Sequence, residues 1–368
     1  MHLSSLSLTN FRNYRALSLT CDEKANLFLG SNGQGKTNLL EAIYYLCVAR
    51  SCREAPDKDL VIIGGEYFLI RGSGMSSTGH DVDLELRYAR RTGKRAFVND
   101  QPQRNLSDLF GSMTAVVMSP DDRQIVQGSP GNRRRFLDIA IAQSSPRYLN
   151  ALRDYKRIVK QRNETLRVQR VGSDNQTDLE LWNMQLVDLG SRIIRKRNSV
   201  VAELDQQART LHSTISDDRE ELSVTYRSSF QFDDEDHIES EFAEALRRSE
   251  KEERIRGMTV VGPHRDDLAL EMNGVNLSAY GSQGQHKTAA TALKLAEARF
   301  LRERTSSPPL LLLDDIFAEL DAVRTGRLIG LLPVFGQVFI TAAKESDIGS
   351  HGGNFRQFEV RAGEVTLK

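Results

Sequence analysis

Cysteine and tryptophan are scarce: Cys21, Cys47 and Cys52 are the only cysteines in 368 residues, and there is a single tryptophan. Three cysteines make no disulfide framework, so a reducing, cytoplasmic setting is expected. Cys47 and Cys52 have no paired histidine nearby and lack the spacing of a zinc finger. Long apolar runs are missing too. Stretches such as Leu310–Leu313 are far too short to span a bilayer. No basic-then-apolar leader opens the chain, so no membrane contact is expected. Charge of one sign is also lacking, with 50 Lys and Arg against 50 Asp and Glu. Nothing global drives the chain toward nucleic acid, and any such surface must be local. The length leaves room for two domains and a sizeable core.

What is present begins with Gly30-Ser31-Asn32-Gly33-Gln34-Gly35-Lys36-Thr37, which fits the phosphate-loop pattern at every fixed position. The glycines let successive N–H groups curl toward one point, and a helix starting near Lys36 adds its positive end. Lys36 is placed to reach the β- and γ-phosphates of ATP, and the Thr37 hydroxyl to ligate Mg²⁺. Context agrees: Ala25–Leu29 reads as a buried strand and Asn38–Val48 as a helix with one apolar face. Arg12 lies close ahead of the loop and either touches nucleotide or is a solvated strand charge.

Period two at Leu6–Phe11 predicts an edge strand running into a turn, the segments Val61–Ile63, Tyr67–Arg71, Asp81–Tyr88 and Arg95–Val98 a mostly antiparallel meander, and Thr114–Met118 a further strand. From about Asp121 to Arg256 the chain turns helical and charged. Apolar residues at three- and four-residue steps in Arg147–Arg170, and near-heptad spacing in 178–213, predict a helical hairpin broken by the polar run 171–175. Glu221–Tyr226 reads as a strand and the acidic Phe230–Glu241 as a solvated loop. Arg133, Arg134 and Arg135 are consecutive, and Lys156, Arg157 and Lys160 crowd one predicted helix. Such local density suits DNA phosphates, or it is simply a solvated helix face.

The last third returns to α/β character. Leu310–Leu313 is an apolar strand ending in Asp314-Asp315. Placed beside the phosphate-loop strand, it brings Asp314 to the Mg²⁺ and Asp315 to the attacking water as catalytic carboxylate, opposite Lys36. Upstream, Ser282-Gln283-Gly284-Gln285 opens a helix over His286–Arg304 and makes a second anion site at a helix start. One subunit needs one phosphate cradle, so the second is expected to serve nucleotide held by another subunit.

These motifs in this order, with Glu319-Leu320-Asp321 behind the carboxylates, resemble the head domain of ABC-type ATPases, and more narrowly the SMC-like DNA repair heads. Within them the chain looks like the RecF family. Leu8–Tyr14, Ser119–Asp122, Gly131–Asp138 and Val261–Asp267 carry that resemblance, which runs nearly end to end. It implies an ABC-ATPase-like head with a mixed sheet and an antiparallel β-meander, and an inserted, mostly helical lobe. Residues 1–118 and 258–368 would form the ATPase lobe and 119–257 the insertion. It further implies ATP sandwiched between two subunits, a clamp on single-stranded or gapped DNA, and RecR and RecO as partners in loading RecA. The alternative is a nucleotide-dependent interaction module with no DNA contact. Two departures from the broader pattern stand out. Asp315 occupies a position where many ABC ATPases carry Glu, which predicts slow turnover and a switch rather than a metabolic enzyme. Thr341-Ala342-Ala343 falls where relatives carry a γ-phosphate-sensing histidine, with Thr341 the best stand-in.

Overall fold

The computed structural model describes residues 1–76, 78–170, 176–216, 220–319, 321–348 and 355–368. In chain order the first elements are β1 (His2–Phe11), β2 (Tyr14–Thr20), β3 (Ala25–Leu29), α1 (Lys36–Val48), β4 (Tyr67–Met75), β5 (Asp81–Ala89), β6 (Gly93–Val98), β7 (Gln101–Pro102) and β8 (Ala115–Met118). The middle holds α2 (Arg123–Gln127), α3 (Pro130–Ser144), α4 (Pro146–Arg170), α5 (Gln176–Ser216), β9 (Leu222–Arg227), α6 (Ile238–Arg256), β10 (Asp267–Met272) and β11 (Val275–Asn276). The end holds α7 (Leu277–Tyr280), α8 (Gln283–Thr305), β12 (Leu310–Asp314), α9 (Ala322–Leu331), β13 (Val338–Ala342), β14 (Arg356–Arg361) and β15 (Glu364–Leu367).

The chain divides into two compact units. The first comprises Met1–Arg123, Gln207–Glu221 and Gln283–Lys368, the second Gln124–Gln206 and Leu222–Ser282. The first unit carries two sheets. One contains the expected meander, in order β2-β1-β4-β5-β6-β7 and antiparallel throughout; β1, expected at an edge, lies inside it because the Tyr14–Thr20 strand folds back and takes the edge. The other runs β15-β14-β3-β13-β12-β8; five of its strands are parallel, and β15 closes a hairpin at one edge. Every residue of β12 and β13 is buried, as a parallel sheet covered on both faces requires. Helix α1 is buried almost along its whole length, and its residues join those of β1, β4 and β5 in one apolar core. Each fully buried Leu or Phe there contributes roughly 1.5–3 kcal/mol.

The second unit is mostly helical, with a small sheet in order β11-β10-β9. Its hairpin is antiparallel and in heptad register. Tyr148 pairs with Arg197, the Tyr155 ring faces Gly190, and Arg162 bonds Asn183, each pair one heptad beyond the last on both helices. A Cβ at Gly190 would lie 2.4 Å from the Phe242 ring, so only glycine fits there. The polar break expected at 171–175 lies outside the described residues. The acidic stretch expected as a loop over Phe230–Glu241 is partly helical instead. Asp234 caps a turn at Glu235–His237, and α6 begins at Ile238. Buried Ile238 and Phe242 are apolar anchors one helical turn apart, and acidic flanks are favourable at a helix start.

A buried polar web fixes Thr259–Asp267 within this unit. Arg162, 1% exposed, donates to Glu253, Thr259 and Asn183. Arg197 donates to Asp138 and to the Pro263 carbonyl. His264 Nδ1 lies 2.8 Å from the Tyr155 hydroxyl, and Arg265 donates to the Thr259 carbonyl. Gly262 has φ +117, and a Cβ there would strike the Tyr155 hydroxyl at 2.5 Å. The web gives Val261–Asp267 a structural role.

Candidate functional site

Three parallel strand ends assemble the site. The phosphate loop follows β3, Asp314 ends β12, and Thr341 lies near the end of β13. Such carboxyl ends are where open α/β sheets place their ligands. One expectation is corrected: β12 is not the neighbour of β3, because β13 lies between them. Asp314 pairs with Thr341 and Thr341 with Phe28, so the carboxylate reaches the loop across one intervening strand.

The loop is shaped by its glycines and braced from two hairpins. Gly35 has φ +118 and is the residue before α1; a Cβ there would lie 2.5 Å from Asn13 Nδ2. Gly33 has φ +82 and open space on its Cβ side, as a cradle needs. From the β1–β2 turn, Asn13 Nδ2 donates to the Gln34 carbonyl at 3.0 Å and the Tyr14 hydroxyl to the Gly35 carbonyl at 3.0 Å. From the β14–β15 turn, Ala362 N–H donates to Gln34 Oε1 and Gly363 N–H to the Gln34 carbonyl. The first turn of α1 carries no acidic side chain, leaving its positive end for an anion.

Lys36, 3% exposed, has its Nζ 2.7 Å from the Gly30 carbonyl, 3.3 Å from the Ser31 carbonyl and 3.9 Å from Asp315 Oδ2. Thr37 Oγ1 donates to Asp314 Oδ1 at 2.9 Å. Thr341 Oγ1 donates to the same oxygen at 2.9 Å and accepts the Asp315 N–H at 2.9 Å. Burial pushes the Asp314 carboxyl above its ordinary range, while the Thr341 and Thr37 hydroxyls pull against that rise. Asp315 sits at φ +47, a left-handed conformation that aspartate tolerates better than bulkier residues. A hydroxyl and a carboxylate converging on one point are hard oxygen donors, and they fit Mg²⁺ bound together with a nucleotide's phosphates. Thr37 and Asp314 would hold that ion and neutralise phosphate charge there. A groove of about 550 Å³ flanks the loop, lined by Gly30, Ser31, Gln34, Lys344 and Arg361 among others.

Arg12 is committed elsewhere. Its guanidinium binds Glu41 through two N–H groups, at 2.9 and 3.0 Å, and donates to the Asp59 carbonyl at 3.1 Å. Glu41 also accepts from Arg53 and Ser51. Burial opposes its ionisation, but hydrogen bonds from Arg12, Arg53 and Ser51 more than offset this and hold its carboxyl below the usual range. Arg53 also binds Asn38, next to Thr37, so this web fixes the start of α1. Sequence reasoning missed Glu41 and Arg53. The available signal was a lone carboxylate inside the apolar run Leu39–Ile43.

Ser282 and Gln283 are exposed at the start of α8, and Gly284 and Gln285 half-buried. Gln285 Nε2 donates to Glu220 Oε1 at 2.8 Å. Among the basic residues, Arg133 is buried and paired with Asp267, and Arg134 donates to the Asp266 carbonyl. Arg135 is half-buried, whereas Lys156, Arg157 and Lys160 stand exposed on one side of α4, beside Arg153.

The family described as RecF/RecN/SMC N terminal domain matches residues 2–363. The chain is similar to the DNA replication and repair protein RecF of Lysinibacillus sphaericus, at 38% identity over 99% of both chains. It is also similar to the RecF of Heliobacterium modesticaldum, at 40% identity over 93% of this chain and 92% of that one. Among solved structures, a recombination mediator protein RecF with ATP, of the RecFOR pathway, superposes with a TM-score of 0.93. It is 33% identical and is matched over 100% of this chain and 97% of that one. An Smc head bound to the C-terminal winged helix domain of ScpA shares the fold, with a TM-score of 0.57 at 13% identity over 100% of this chain and 97% of that one.

Proposed function

Since the chain belongs to the RecF family of DNA replication and repair proteins, we propose that it is an ATP-driven switch that closes as a homodimer on DNA and opens on slow hydrolysis. The observation that carries this reading is the convergence of Thr37 Oγ1 and Asp314 Oδ1 at 2.9 Å, with Lys36 Nζ 3.9 Å from Asp315. Gly30, Ser31, Asn32, Gly33, Gln34 and Gly35 wrap the phosphates, and Lys36 compensates charge on the β- and γ-groups. Asp315 orients the attacking water. Its carboxylate is one methylene shorter than a glutamate, so it polarises that water poorly and turnover is slow. Thr341, fully buried, bonds both aspartates and so links any sensing of the γ-phosphate to the position of Asp314 and Asp315.

In this reading the exposed helix start at Ser282–Gln285 completes the site of a second copy. DNA phosphates are met by Lys156, Arg157 and Lys160, whereas Arg133 and Arg134 serve the fold of their own unit. The solved ATP-bound relative belongs to the RecFOR pathway. RecO and RecR are therefore the partners proposed for this chain, with RecA loading, replication restart and the SOS response as the processes served. The test is a titration of ATP-bound protein against single-stranded, duplex and gapped DNA over a range of salt. Binding should weaken steeply with salt, and Lys156→Ala, Arg157→Ala and Lys160→Ala should each lower the salt slope by about one. Salt-independent binding, or slopes unchanged in all three variants, would remove DNA contact from this face.

A further inference from the structure

The β5–β6 hairpin has no part in the nucleotide chemistry above, yet it is crowded with cations. Arg90, Arg91, Lys94 and Arg95 fall within six residues, and Arg87 lies just ahead of them. Lys94 turns inward, to Asp57 at 3.0 Å and over the Tyr45 ring, and Arg90 donates to the Gly65 carbonyl. Arg91 and Arg95 stand exposed, and neither side chain has a partner among the described residues. Across the sheet the same face carries more. Arg71 on β4 lies opposite Glu85 on β5, and Arg87 lies opposite Arg95 on β6. Val82, Leu84 and Leu86 alternate with these residues and point into the core, so this is the solvent side. Glu85 is buried beneath the two arginines. Its Oε2 accepts from Arg71 Nε and its Oε1 from Arg87 Nε. Both guanidiniums therefore keep their terminal nitrogens free, and the side chains are 55% and 52% exposed. The Phe97 ring backs Arg87 from 4.6 Å. Like charges directly opposite each other weaken a sheet, so Arg87 facing Arg95 is a pairing that the fold alone does not favour.

We propose that this face of the hairpin is a second DNA contact, which meets the sugar–phosphate backbone of a duplex, and that Glu85 is the positioning residue of Arg71 and Arg87. This rests on the reading of the chain as a DNA-binding protein, and adds a contact in the unit that carries the phosphate loop. Charge complementarity names the occupant. Arg71, Arg87, Arg91 and Arg95 present four cations, and the carboxylate among them, Glu85, is buried and shared by two. Asp81 and Asp83 share the face only at the far end of β5, about 13 Å or more along the strand from Arg87. Guanidinium forks grip phosphate oxygens two at a time, which an ammonium cannot do. Strands about 4.8 Å apart hold Arg71, Arg87 and Arg95 in a row, and Glu85 fixes two of them in advance, so little freedom is lost on binding. A duplex is a stiff polyanion, which suits such a rigid row.

The experiment is fluorescence anisotropy of a labelled duplex of mixed sequence, and of a single strand, with Mg-ATP over a range of salt. It compares Arg91→Ala, Arg95→Ala, Glu85→Gln and Lys156→Ala with wild type. Arg91 and Arg95 hold nothing else in place, so thermal unfolding and ATP-analogue affinity should match wild type in both variants. Each should lower the salt slope of duplex binding by about one, whatever the sequence. Glu85→Gln makes the face more positive, so charge alone would tighten binding. Loss of the anchor should instead weaken duplex binding by more than twofold. Affinity within twofold of wild type, or higher, would overturn the positioning role of Glu85. Unchanged slopes in both arginine variants, with Lys156→Ala still lowering its own, would overturn this face while leaving DNA binding intact. Slopes lowered for the single strand alone would overturn the duplex as its occupant. Wild type that binds neither DNA would overturn both readings.

Discussion

Thr341→Val isolates what the buried hydroxyl between the two carboxylates contributes. Valine has nearly the shape of threonine, so the cavity hardly changes and the loss is polar. Three contacts go: the donation to Asp314 Oδ1 at 2.9 Å, a longer one to Asp315 Oδ1 at 3.4 Å, and the acceptance from the Asp315 N–H at 2.9 Å. Thr341 is fully buried, so no water replaces them. An orphaned buried N–H costs about 1–3 kcal/mol, and a carboxylate stripped of one of its donors a similar amount. Protonation of Asp314 relieves part of this, since burial already pushes its carboxyl upward and the Thr341 hydroxyl is the leading force against that rise. A net local cost of about 2–4 kcal/mol follows. Hydrogen exchange over Leu310–Phe317 should accelerate roughly 30- to 1,000-fold. The Mg²⁺ concentration for half-maximal ATP hydrolysis should rise, most at acid pH, because Asp314 must shed a proton to bind the ion. Thr341→Ser should restore both readings. A valine variant with wild-type exchange and wild-type Mg²⁺ dependence would refute the argument.

Other consequences concern the fold and the loop. Arg162→Ala removes the cation from buried Glu253 and leaves it only the Val260 N–H, so it should cost about 3–5 kcal/mol, whereas Arg162→Met with Glu253→Leu should cost much less; denaturant titration separates the two. Burial lowers the His264 pKa from 6.5 to about 4. A depressed folded-state value means the unfolded chain takes up the proton first, so stability is full above pH 6.5 and falls as pH drops toward 4. The fall amounts to roughly 3 kcal/mol. Thermal unfolding against pH should show this slope and lose it in His264→Gln. Gly35→Ala forces a Cβ to 2.5 Å from Asn13 at φ +118 and should abolish ATP binding, while Gly33→Ala, at φ +82 with open space, should cost only about 1 kcal/mol; calorimetric ATP titration distinguishes them.

The sequence disclosed the local parts of the site more fully than their placement. The phosphate loop, the leucine strand with its two aspartates and the glycine-bearing helix start are short-range patterns whose chemistry depends on spacing. So are the meander and the hairpin, whose period-two and heptad repeats survive in the register Tyr148–Arg197, Tyr155–Gly190 and Arg162–Asn183. Strand order was not legible, since nothing local says that Val338–Ala342 slips between the loop strand and the carboxylate strand. Nor were the partners of individual charges. Arg12 and Arg133 look like free cations in sequence, but each meets a carboxylate, Glu41 and Asp267, that lies 29 and 134 residues away. The helix within Phe230–Glu241 was hidden because its acidic cap looks the same as a solvated loop, and only the buried anchors Ile238 and Phe242 decide it.

The central claim is that the loop at Gly30–Thr37 is half of a site completed by a second copy. Multi-angle light scattering of wild type, Lys36→Arg and Ser282→Arg, each with and without Mg-ATP, tests it most directly. The account predicts that ATP converts wild type from monomer to dimer. Lys36→Arg should fail to respond, and Ser282→Arg should bind ATP with wild-type affinity yet remain monomeric. A Ser282→Arg variant that dimerises normally, or one that loses ATP binding by the monomer, would contradict it.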